Sequence, residues 1–114
     1  MEFTQDLKPL ENKLGHKFKD QSLLIQALTH RSFLNEHAEF PYPHNERLEF
    51  LGDAVLELIV TEHLYRNYSN PEGDLTNWRA ALVNAKTLAG ISSQLGFEDY
   101  LLLSKGEARD KNSK

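Results

Sequence analysis

The 114-residue sequence predicts an all-α fold, a helical bundle of about five helices. Three observations carry that reading. Apolar residues recur at three- and four-residue spacing along most of the chain, the every-other-residue alternation of a half-buried strand is absent, and Gly, Asp and Asn stand where the apolar runs begin and end.

Taken in order, Leu7, Leu10 and Leu14 mark a first short helix stopped by Gly15. Asp20 is placed to cap a second, with Leu23, Leu24, Ala27 and Leu28 as its apolar stripe. HAEFPYPH, residues 37–44, reads as a loop fixed by Pro41 and Pro43. A long helix follows from about Asn45 to Tyr68, and SNPEG forms a turn. Asp74 is placed to cap a helix carrying Leu75, Trp78, Ala81 and Leu82. Asn84 caps the next, with Leu88, Ile91 and Leu95 along it and Gly96 at its end. FEDYLLLSKG is a short apolar stretch of no assigned type, and the closing EARDKNSK reads as a mobile polar tail.

The length allows one domain with a modest core. With 39% hydrophobic and 26% charged residues, the balance is that of a soluble globular protein rather than a disordered one. No apolar run is long enough to span a membrane, and the polar MEFTQDLKPLENK start does not read as a secretory signal. The absence of cysteine excludes disulfides and thiolate metal sites and fits a cytoplasmic protein. A net charge of −4 carries no general basic character, so a polyanionic partner would require the acids to be offset.

The long helix poses the sharpest question. On a wheel of about 100° per residue, Leu48, Leu51, Val55, Leu58 and Ile59 share one side, expected to be the core face. Glu46, Glu49, Asp53 and Glu57 stack on the opposite side. Each has another acid three or four residues away, at about 0.2–0.5 kcal/mol per exposed like-charge pair. None has Lys or Arg three or four positions after it. A solvated charged face normally mixes signs. The pattern instead points to a divalent metal site, since hard cations such as Mg²⁺ and Mn²⁺ take carboxylate oxygens and remove the repulsion. Phe50 lies on the acidic side, away from the leucines, and reads either as a lone exposed aromatic or as an anchor that fills a pocket on a partner. Gly52, inside the helix, suggests a close approach by another backbone, a ligand or a second copy of the helix.

These residues also carry a resemblance. NERLEFLGDAVL, Asn45 to Leu56, resembles the signature of the ribonuclease III family. LGHKFKDQSLLIQALTHRS, EGDLTNWRAALVNAKTLA and LLLSKGEARD resemble, in the same order, the opening segment of bacterial members, the segment after the signature and the approach to the final catalytic helix. Trp78 stands where a smaller apolar residue is more usual, and Glu57 where the family is less acidic; neither touches the signature's acids.

The resemblance implies the front of an endonuclease domain, residues 3–114, that cuts double-stranded RNA as a symmetric homodimer. Hydrolysis would depend on Mg²⁺, with Mn²⁺ able to substitute, and would leave 5′-phosphate and 3′-hydroxyl ends. Ribosomal and other structured RNA precursors are the expected substrates. Carried over by position, Glu49 and Asp53 match the metal-binding carboxylates, Glu46 and Glu72 further acids of the active-site region, and Phe50 the aromatic that inserts into the partner subunit. Arg79 and Lys86 are candidates to meet phosphates, with a structural arginine and a surface lysine as the plainer alternatives.

The family's site also needs an Asp and a Glu three residues apart on a later helix, which this chain does not reach. Glu107 and Asp110 have the spacing but the reverse order, and are expected in the loop before that helix. The double-stranded-RNA-binding domain that usually follows is likewise absent from the sequence. The isolated chain is therefore expected to be inactive or weakly active. A non-catalytic module on the same fold is the alternative reading. A histidine metal hydrolase built on His30, His37 and His44 is weaker, because Pro41 and Pro43 interrupt the stretch and no HExxH motif supports it.

Overall fold

A computed structural model of the protein describes residue 3 and residues 5–112, with side chains as far as Ala108. The described residues form seven α-helices and no named strand: α1 (Lys8–Leu14), α2 (Gln21–Leu28), α3 (Arg31–Glu36), α4 (Glu46–Asn67), α5 (Glu72–Leu82), α6 (Ala85–Leu95) and α7 (Lys105–Asn112). A single 3₁₀ turn, Phe97–Asp99, follows α6. The all-α expectation holds. Two short helices go beyond the sequence pattern: α3, and α7, which occupies most of the stretch whose composition reads as a mobile polar tail.

The caps explain most of the boundaries. Gly15 and Gly96 end α1 and α6 in the left-handed region, at φ 68° and 73°, where a side chain would be strained. Gly96 has a second role. The Nζ of Lys13 lies 2.9 Å from where a Cβ would stand, so the missing side chain admits a cation at the carboxyl end of α6. Asp20 caps α2, its Oδ1 accepting from Ser22 N at 3.0 Å and from Ser22 Oγ at 2.6 Å. These bonds hold its carboxyl below the usual aspartate range. Asn84 caps α6 by accepting from Thr87 N at 2.9 Å. Asp74 is not a cap. Helix α5 begins earlier, with Pro71 at the N-cap, and Glu72 and Asp74 both fall in its first turn, where acids suit the helix dipole.

The sealed core lies at one end. Leu7, Leu10, Leu24, Ile25, Leu28, Phe33 and Phe40 form one buried cluster, flanked by Phe3, Phe18, Leu34, Tyr42 and residues 97–102. On α2, Ile25 is buried where Ala27 and Leu23 were expected, and Leu23 is 52% exposed. The stretch after α6 is tied to the α2–α3 junction. Leu102 N donates to Leu28 O at 2.8 Å and His30 N to Leu102 O at 2.9 Å, making an isolated parallel bridge with Thr29. Beyond it, Ser104 N donates to Ser32 Oγ and Lys105 N to Glu36, so two side chains of α3 cap the start of α7.

Helix α4 leaves this cluster as a 22-residue rod, about 33 Å long at 1.5 Å per residue. It packs chiefly on α5. Its start is fixed by Asn45, whose N donates to Thr29 O at 3.0 Å and whose Nδ2 donates to Ala27 O at 2.9 Å. The expected core face of α4 is not one. Leu51, Val55, Leu58 and Ile59 are 58%, 46%, 66% and 61% exposed, and Leu64 is the buried residue of the helix. The reason is what α4 packs against: the side bearing Glu57, Thr61 and Leu64 turns toward α5, and among the described residues nothing covers the leucine stripe. Gly52 likewise meets nothing within 4 Å, so the close approach expected there does not come from the described residues of this chain. The surface is correspondingly large, 8640 Å², against roughly 6400 Å² for a compact monomer of this mass.

Candidate metal centre and catalytic face

The four stacked acids begin at Glu46, the residue after the Asn45 anchor, so the α2–α4 junction sets their position along the rod. All four are exposed. Tertiary structure divides them into two classes. Glu46 Oε1 faces Arg31 Nη1 at 3.5 Å, a guanidinium delivered from α3. Glu57 Oε1 faces Arg79 Nε at 3.6 Å, delivered from α5, and Arg79 Nη1 also donates to Thr61 Oγ1 at 3.0 Å. Among the described residues, Glu49 and Asp53 make no such pair. They stand at i and i+4, adjacent on the helix surface with Cβ atoms roughly 5–6 Å apart.

The inner pair therefore keeps its repulsion while the outer pair is relieved. Surface ion pairs such as these contribute about 0–1 kcal/mol each. Their value here is selective: they neutralise the two flanking acids and leave a two-carboxylate patch of undiluted negative charge between them. The spacing of α4 alone cannot show this, because both arginines come from other helices. The charge relief absent at i+3 and i+4 is supplied in three dimensions at the ends of the stack.

Asp53 and Glu57 line an open cleft of about 530 Å³ between α4, α5 and the start of α6, together with Thr76, Arg79, Ala80, Val83, Asn84, Ala85 and Leu88. Glu72 is not in it. It lines a neighbouring cleft with Thr61, Leu64, Tyr65 and Leu75, which shares Thr76 and Arg79 with the first. Phe50 is 84% exposed and borders a third cleft with Gln26, Pro43, Arg47, Leu48 and Leu51. Arg79 is the structural arginine of the plainer alternative, committed to Glu57 and Thr61.

The histidines are each used locally. His30 caps α3, its Nδ1 accepting from Ser32 N at 3.1 Å. His37 stacks on Phe33 with ring centroids 4.2 Å apart, and His44 Nδ1 accepts from Glu46 N at 3.3 Å. No group of three or more His, Asp or Glu side chains gathers as a metal cluster among the described residues. Glu107 lies in α7, not in a loop as expected, and the side chain of Asp110 is outside the described residues.

What the arrangement fits is a partial shell. Magnesium keeps several waters and takes one or two protein carboxylates, and Glu49 with Asp53 offer that donor set. Two exposed carboxylates do not complete a rigid cage.

A family model described as ribonuclease-III-like matches residues 20–114. The chain belongs to the ribonuclease III family. It is 50% identical to ribonuclease 3 of Oceanobacillus iheyensis over 103 residues, covering 90% of this chain and 45% of that protein. It is 50% identical to ribonuclease 3 of Streptococcus gordonii over 108 residues, covering 90% of this chain and 47% of that one. The chain thus spans under half the length of these relatives. Among solved structures, it is similar to the nuclease domain of ribonuclease III from Campylobacter jejuni, with a TM-score of 0.82 and 46% identity, covering 93% of this chain and 71% of that one. The described C. jejuni structure concerns flexibility in a region involved in dimer formation. The shared fold accounts for the all-α architecture, and no described helix is long and apolar enough to cross a membrane.

Proposed function

We propose that this chain supplies the metal-binding face of a cytoplasmic endoribonuclease that hydrolyses double-stranded RNA as a homodimer. The observation that supports it most is the division of the acid stack: arginines neutralise Glu46 and Glu57 and leave Glu49 and Asp53 bare. Glu49 and Asp53 would hold Mg²⁺, or Mn²⁺ in its place, and a cation held there would supply an activated water and charge stabilisation for hydrolysis of a phosphodiester to 5′-phosphate and 3′-hydroxyl ends. Glu46, matched by Arg31, and Glu72, in the neighbouring cleft, flank the site and take no direct part in holding the ion. Because duplex RNA is recognised by shape, phosphates and 2′-hydroxyls, no base-reading motif is required, and structured precursors such as those of ribosomal RNA fit as substrates.

The open leucine stripe and Phe50 form the face that receives a second copy. The surplus of surface, roughly 2200 Å² over a compact monomer, is of the order that permanent partners bury between them.

The test compares residues 1–114 with the same chain extended through the next helix. Two carboxylates alone position an ion loosely, and about 1 Å of misplacement costs roughly 10²-fold. Residues 1–114 are expected to cut double-stranded RNA slowly or not at all, the extended protein to cut it with Mg²⁺, and its Asp53→Asn variant to bind duplex without cutting. Cleavage that survives Asp53→Asn would refute the site.

A further inference from the structure

Away from the acidic helix, the chain concentrates positive charge. Between Lys8 and Lys19 stand four lysines and a single acid, Glu11, in a protein of net charge −4. The acids in and around this stretch are turned to structural use. Asp6 Oδ1 accepts from Lys8 N at 3.1 Å, Asp20 caps α2, and Glu11 is 5% exposed with Oε2 accepting from Phe18 N at 2.7 Å and Oε1 from Gln21 Nε2 at 3.1 Å. Lys8, His16, Lys17 and Lys19 are exposed, and none of the three lysines makes an ion pair among the described residues.

The lysines are also organised. Lys8, Asn12, His16 and Lys17 line one open cleft of about 420 Å³ with Glu11 and Gly15. Glu11 fixes the turn that carries His16 and Lys17: its carboxylate holds Phe18 N, and its carbonyl accepts from His16 N at 3.2 Å. The His16 ring stands edge-on to Phe18, centroids 4.8 Å apart. A turn already fixed costs less ordering on binding. Helix α6 runs from α1, the helix that carries Lys8 and Asn12, to the candidate catalytic face. Its carboxyl end receives Lys13 at Gly96, and its first residues, Ala85 and Leu88, line the cleft beside Asp53. Eleven residues of α6 span about 16 Å, less than one turn of a nucleic-acid double helix, roughly 34 Å in DNA.

We propose that Lys8, His16, Lys17 and Lys19 form a second contact surface that takes the phosphodiester backbone of an RNA duplex, outside the metal centre. This rests on the reading of the chain as a double-stranded-RNA nuclease. It also answers how a net-acidic domain holds a polyanion: the acidic face meets RNA through its cation, and the lysine cleft meets it directly.

The test is the salt dependence of binding to a fluorescein-labelled 24-base-pair RNA duplex, read by anisotropy with EDTA present so that no metal contributes. Each lysine that neutralises a phosphate adds about 1 to the slope of log K against log salt. Lys8→Ala/Lys17→Ala is expected to reduce the slope by about 2, Lys8→Arg/Lys17→Arg to keep it, and all three proteins to retain the same helical circular dichroism. A slope unchanged by the alanine pair in a wild type that binds would overturn this surface alone. A wild type that binds no duplex would overturn both readings. The expected slope loss in a protein that never cleaves RNA, even when extended through the next helix, would uphold the lysine surface and count against the nuclease.

Discussion

At the α1–α3 end Leu7, Leu10 and Leu28 are 2%, 0% and 4% exposed, whereas on α4 Phe50, Leu58 and Ile59 stand open at 84%, 66% and 61%. Both regions carry apolar residues at helical spacing, and the sequence pattern treats them alike. The difference lies in what surrounds them. The first set is enclosed by short helices close in sequence and by the 97–102 stretch strapped across α2. The second set lies on a long rod with α5 on one side and no described element on the other. An elongated shape follows: the radius of gyration is 16.6 Å, against about 13 Å for a compact domain of this size. One end of the molecule is closed by its own elements, and at the other the apolar face of α4 is left uncovered among the described residues.

Mutation should separate the two ends. Leu10→Ala at the closed end is expected to destabilise by about 2–5 kcal/mol, because it removes a fully enclosed side chain and leaves a cavity. Leu58→Ala on the open face should change the stability of the monomer by less than about 0.5 kcal/mol. Urea unfolding of both variants at low protein concentration checks the contrast, and comparable losses would break it. A smaller effect is expected at Arg79, which ties α5 to Glu57 and Thr61 on α4. Arg79→Met should cost on the order of 1 kcal/mol, from one exposed ion pair and one hydrogen bond, with the α1–α3 end unaffected in hydrogen exchange.

The smallest effect concerns Asp20. Its two bonds from Ser22 favour the carboxylate, so its folded pKa lies below the ordinary 3.8. The stability it contributes is present above that ordinary value and is lost as pH falls below it, through the lower folded value. Asp20→Asn keeps a good capping side chain and removes the titration. Its acid unfolding below about pH 4 should be less steep than that of the wild type, a small difference because the site is fully exposed.

Much of this was legible in the sequence where the cause is local. Asp20 and Asn84 as caps, Gly15 and Gly96 as stops and the reach of α4 depend on neighbours within a few residues. What failed depended on distant partners. The leucine stripe of α4 has the period of a core face, but period does not say which side a neighbouring helix takes. Helix α7 has no apolar stripe of its own and starts where Ser32 and Glu36, some seventy residues earlier, cap it. The stacked acids have no Lys or Arg three or four positions after them on α4, and that holds; Arg31 and Arg79 reach the stack from α3 and α5. That distant pairing leaves Glu49 and Asp53, the two acids the family resemblance already singled out, as the pair without an arginine among the described residues.

The sharpest check on that distinction is calorimetric titration with Mn²⁺ of the wild type and two double variants. Glu49→Gln/Asp53→Asn removes the bare inner pair, and Glu46→Gln/Glu57→Gln removes the outer pair already matched by arginine. Both remove the same formal charge, so general electrostatic attraction cannot distinguish them. The account predicts that binding is lost in the inner variant and stays within about threefold of wild type in the outer one, a difference of roughly 0.6 kcal/mol or less. Equal weakening in the two, or loss in the outer variant alone, would contradict it.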